Sequence, residues 1–83
     1  MLSKEYLNLY LKKAHFTSLE HLLFRIAVNG EFPDDMYFSS RVRTTIVHLV
    51  NGIRKREAAK RHTSVAELYQ IINEVIDREL GGE

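Results

Sequence analysis

Eighty-three residues, 45% hydrophobic and 28% charged, bound this chain as one folded domain near the lower size at which a core supports itself, and leave little room for a deep catalytic cleft. No cysteine is present, which excludes disulfides and thiolate metal sites, and a formal net charge of +1 points to neither nucleic acid nor an acidic substrate as a bulk partner. The opening MLSKEYLNLYLKK scatters charge through its apolar residues, so neither a signal peptide nor a membrane span is expected there; the chain reads as cytoplasmic, with no membrane partner, and as bacterial or phage-like in size.

Hydrophobic periodicity predicts four amphipathic helices, each opened by a hydroxyl side chain able to accept the free amide protons of a first turn. Ser3 opens the first, which carries Leu7, Leu11 and Ala14 beside Tyr6 and Tyr10. Thr17 opens the second, with Glu20 in capping-box spacing ahead of Leu19, Leu22, Leu23, Ile26 and Ala27. Asn29-Gly30 closes it, because glycine enters the left-handed backbone of a helix C-terminus without a Cβ penalty. In the following EFPDDMYF, Pro33 with Asp34 and Asp35 reads as a turn or one short helical turn within 33–38. Phe32, Met36, Tyr37 and Phe38 are expected to fold back over the core.

The third helix starts near Ser39 or Ser40 and repeats Val42, Ile46, Leu49, Val50 and Ile53 at helical spacing. Beyond Ile53 the same face meets Arg56, Glu57 and Lys60, so the last two turns are expected to project past the core. Ser64 and Glu67 form a second capping box for the fourth helix, which carries Val65, Leu68, Ile72, Val75 and Ile76 and ends at Gly81-Gly82. The result is an all-α domain over 1–83, a small four-helix bundle or orthogonal helical array, with a hairpin of the last two helices at His62 to Ser64. A β-hairpin about Asn51-Gly52, with Thr45-Ile46-Val47 as its first arm, is the rival reading. The second arm decides for helix: IRKREAAKR has no alternation and is rich in helix formers, so Gly52 is a mid-helix glycine that marks a kink or a close approach.

Charge is polarised along the C-terminal half. Seven Lys or Arg face one acid between Arg41 and Arg61, whereas five acids face one base, Arg78, from Ser64 onward. The segment RKREAAKR concentrates Arg54, Lys55, Arg56, Lys60 and Arg61, and with Arg41 and Arg43 it offers a surface for nucleic-acid phosphates or an acidic protein partner. Alternatively it is a solvated helix end with Glu57 pairing Arg61 one turn on. The stretch REAAKRHTSVAELYQII resembles a helix-turn-helix unit, which implies DNA binding through the helix after Ser64. Its turn, His62-Thr63-Ser64, lacks the usual glycine and is one residue short, and its outward face would show Glu67, Gln70 and Glu74. A ribbon-helix-helix resemblance, with Thr44 to Leu49 as strand, shares the second half SVAELYQIINEV.

VHLVNG is similar to the phosphorylatable-histidine motif of histidine phosphotransfer domains, which implies His48 as acceptor and Gly52 as the small neighbour. Asn51 stands where that family carries lysine. His15 and His21 have no partner at metal-ligand spacing, adjacent Asp34 and Asp35 do not make a paired acid/base site, and no phosphate loop or nucleophile elbow exists, so no enzyme activity, cofactor, metal or small-molecule substrate is expected. What remains is association. Leu2, Tyr6, Leu9 and Tyr10 spread apolar surface over more than one stripe of the first helix, which suggests packing on a second copy as well as on its own core. The expectation is a non-enzymatic regulatory or adaptor protein acting as a homodimer, with a DNA- or RNA-binding regulator as the alternative.

Overall fold

Ser3, Ser18, Ser39 and Ser64 each accept a backbone N–H from three residues further on, and each thereby starts a helix. A computed structural model describes residues 2–15, 18–30, 39–59 and 63–80. Within them the order is α1 (Lys4–Lys13), α2 (Leu19–Asn29), α3 (Ser40–Ala58) and α4 (Val65–Glu79), with no strand among the described residues. The all-α, four-helix architecture is therefore established. The possible turn at 33–38, its aromatic residues, Asp34 and Asp35 lie outside the described residues.

One core joins all four helices. α1 contributes Leu7 and Leu11; α2 adds Leu19, Leu22, Leu23 and Ile26; α3 adds Val42, Ile46, Leu49, Val50 and Ile53; and α4 adds Leu68, Ile71, Ile72, Val75 and Ile76. Fully burying one such side chain is worth about 1.5–3 kcal/mol against conformational entropy of similar total size. Three positions differ from the apolar pattern. Val65 is 63% exposed because it sits in the first turn of α4, ahead of the core, while Ile71 is buried. α4 packs against both α2 and α3, so its buried band is wider than one stripe. Ala14 is the exposed C-cap of α1 rather than a core residue.

The start of α2 also shifts. Ser18, not Thr17, is the N-cap, accepting from His21 N at 3.3 Å, so Glu20 falls one place short of the capping-box position. The first helical amide, Leu19 N, donates to Asn8 Oδ1 from α1 at 2.9 Å. A side chain of α1 thus completes the cap of α2 and sets where the two helices meet. Gly30 ends α2 at φ +86°, as its sequence predicts, and Ser64 with Glu67 forms the expected capping box of α4. α1 ends differently: His15 holds φ +58°, a left-handed conformation that non-glycine residues adopt at a cost.

α3 runs without a break from Ser40 to Ala58, which settles Asn51-Gly52 as helix and overturns the strand that the ribbon-helix-helix resemblance implies at Thr44 to Leu49. Gly52 serves close approach. A Cβ built there would lie 3.2 Å from Cγ1 of Val75, so the missing side chain lets α3 and α4 touch. Three links tie the pair, His48 to Glu79, Gly52 to Val75 and Arg56 to Glu74. The falling numbers on α4 against rising numbers on α3 define an antiparallel hairpin in which α4 lies along α3.

Candidate functional site

The basic end of α3 is less free than its sequence suggests. Arg54 donates from Nη2 to the carbonyl of Gly30 at 2.9 Å, covering an orphan carbonyl at the C-terminus of α2. Arg56, half-buried, pairs with Glu74 of α4. The expectation that the final turns of α3 bury nothing is corrected accordingly: the antiparallel α4 brings Glu74 beside Arg56, and Glu57 is half-buried as well. Lys55 remains exposed, as do Arg41 and Arg43 at the other end of the helix, about 20 Å away at 1.5 Å per residue. Lys60 and Arg61 lie outside the described residues, and so does the Glu57–Arg61 pairing.

The outward side of α4 is also committed. Glu67 closes the capping box and Glu74 holds Arg56, so two of the three residues assigned to a recognition face serve the fold. Helix-turn-helix units cross their two helices at roughly 90–120°, whereas α3 and α4 stay side by side over the span from Arg56–Glu74 to His48–Glu79. At His48 a ring nitrogen, Nε2, faces the Glu79 carboxylate. A carboxylate there opposes a phosphoryl group at the same nitrogen.

Between the His48–Glu79 and Arg56–Glu74 contacts lies a groove of about 730 Å³ along the α3–α4 seam. Gly52 and Val75 form its floor, with Asn51 and Lys55 on the α3 rim and Arg78 on the α4 rim. Sequence reasoning had no handle on it, because Arg78 is the lone base in an acidic helix and lines the same groove as Lys55 only through the hairpin.

The surface of α1 divides in two. Tyr6 is 49% and Leu9 54% exposed, whereas Leu2 and Tyr10 are half-buried against the core. Tyr10 also accepts the Ser39 N–H at 3.0 Å on its hydroxyl, pinning α1 to the start of α3. Of the four residues expected to form an association surface, the structure thus leaves Tyr6 and Leu9 on the outside. A further aromatic cluster escaped sequence reading. Phe24 of α2 and Tyr69 of α4 stack at 4.6 Å with an interplanar angle of 3°, and the Tyr69 hydroxyl lies 3.3 Å from His21 Nδ1. Both rings are half-buried, so this stack seals the α2–α4 joint.

Among the described residues no group of three or more His, Asp or Glu is placed to hold a metal, no buried polar side-chain atom lacks a partner, and no helix is long and apolar enough to cross a membrane. Comparison with protein-family models, with curated proteins and with solved structures produced no match to this chain.

Proposed function

We propose that the protein is a small non-enzymatic association module that works as a homodimer through the outer face of α1. The observation that carries this reading is the pair of large apolar side chains, Tyr6 and Leu9, left half-exposed on a helix whose remaining apolar residues are packed inward. The charges around them are self-complementary. In an antiparallel pairing about a two-fold axis at Leu9, Glu5 of one copy stands opposite Lys13 of the second, each four residues from the axis. Tyr6 then stands opposite Lys12, each three residues away, in position for a cation–π contact worth about 0.5–1 kcal/mol. Glu5, Lys12 and Lys13 are all exposed.

The alternative, a nucleic-acid-binding regulator using the Arg54 to Arg61 segment, draws its support from exposed Arg41, Arg43 and Lys55. It is the weaker reading, since Arg43, Arg54 and Arg56 are each engaged within the chain and Glu74 and Glu79 add negative charge along the α3–α4 seam.

Sedimentation equilibrium tests the homodimer. The wild-type chain is expected to dimerise and Leu9→Glu to be monomeric with unchanged helicity. Glu5→Lys and Lys13→Glu should each weaken the dimer, and the double variant should restore it by exchanging the partners of both pairs. A wild-type chain that stays monomeric to millimolar concentration, or a Leu9→Glu variant that dimerises as well as wild type, overturns the proposal.

A further inference from the structure

The α3–α4 groove carries surplus positive charge in a confined place. At its two ends His48 hydrogen-bonds Glu79 and Arg56 pairs with Glu74, so each of the two acids beside the groove already has a side-chain partner. Lys55 and Arg78, on opposite rims, have no hydrogen-bond or ion-pair partner among the described residues. Like charges lining one groove repel unless an anion lies between them. Asn51, one helical turn before Lys55 and exposed on the same rim, adds an amide with two donors. The floor between the rims is apolar and free of side-chain bulk at Gly52, with Val75 beside it.

We propose that this groove binds a compact phosphate monoester. The phosphoryl oxygens take the Arg78 guanidinium fork and the Lys55 ammonium, with the Asn51 amide as a further donor, and the body of the ligand lies on the Gly52–Val75 floor. Arginine suits this role because its planar donors match two phosphate oxygens at once, while lysine supplies a point charge. A polymeric phosphate fits less well. A strand crossing the groove along the seam would set its next phosphates against Glu74 at one end and Glu79 at the other.

Titration of the labelled protein with phenyl phosphate and, separately, with inorganic phosphate, followed by amide chemical shifts at constant ionic strength, tests the site. Saturable shifts are expected at Asn51, Gly52, Lys55 and Arg78, with phenyl phosphate binding more tightly than inorganic phosphate. Both rim cations are exposed, so Lys55→Gln and Arg78→Gln are expected to stay folded and each to weaken binding roughly ten-fold, as loss of one charge-assisted hydrogen-bond donor implies. Non-saturating shifts that spread equally to Arg41 and Arg43, or affinity unchanged in both variants, overturn the site. Equal affinity for the two probes overturns the assignment of the ligand body to the Gly52–Val75 floor. Tighter binding of a single-stranded oligonucleotide than of phenyl phosphate at the same residues overturns the monoester in favour of a polymer.

Discussion

α1 and the α3–α4 hairpin are built from the same kinds of residue and hold to the domain in different ways. The hairpin pairs a 19-residue with a 15-residue helix, and between them these supply ten of the buried apolar side chains. Gly52 lets them touch, and two side-chain contacts, His48–Glu79 and Arg56–Glu74, bracket it. α1 has 10 residues and buries Leu7 and Leu11. Isolated helices shorter than about 12–15 residues are marginal in water, so α1 depends on what it packs against. Its anchors are those two leucines, the Asn8 cap on α2 and the Tyr10 hydroxyl on Ser39. A helix held so lightly on its inner side and left apolar on its outer side is where a second copy adds the most. The hairpin, by contrast, is the rigid frame that keeps unpaired cations in one groove.

The largest effect should come from the frame. Leu49→Ala, at a fully buried site on α3, is expected to lower unfolding free energy by about 2–5 kcal/mol in denaturant titration, and a loss below 1 kcal/mol would mean that α3 does not organise the core. Next comes the helix contact. Gly52→Leu should cost about 1–3 kcal/mol by overpacking against Val75, whose β-branched side chain has little freedom to move. Gly52→Ala should fail to deliver the gain of about 1 kcal/mol that helix propensity alone promises, and a full gain would show that the contact is looser than described. Ser64→Ala, which removes the capping box, is expected to cost about 1 kcal/mol. Tyr10→Phe tests the weaker attachment of α1: loss of one hydroxyl contact should cost about 0.5–1.5 kcal/mol and raise amide hydrogen exchange in α1 before α3. Uniform exchange across all four helices would dissolve the contrast. The smallest change belongs to Glu74→Gln, a largely exposed ion pair worth at most about 1 kcal/mol.

Much of the fold was legible because helix signals are local. Hydroxyl caps at Ser3, Ser39 and Ser64, the Ser64–Glu67 box and the Gly30 stop depend on residues within a turn of one another, and all appear where their spacing places them. The misreadings arise where two helices meet. Ile71 joins the core because a helix lodged against two neighbours buries more than one stripe, while Val65 stays outside because it lies in the first turn of α4, ahead of the core. The second cap moved from Thr17 to Ser18, where Asn8 of α1 completes it.

The same division runs through the candidate surfaces. Sequence alone determined four amphipathic helices, three of their four N-caps, nearly all of the core, a helical Gly52 and a concentration of cations after Ile53, since each follows from side-chain type and a period of 3.6 residues. Tertiary structure decided which of those groups remain available. It placed Glu74 on Arg56 and the Gly30 carbonyl on Arg54, turned Leu2 and Tyr10 inward while leaving Tyr6 and Leu9 outside, and brought Arg78 to the groove that Lys55 lines. The physical reason is that a side chain's partner depends on which neighbouring helix faces it and in which direction that helix runs, and hydrophobic spacing within one helix carries no record of either.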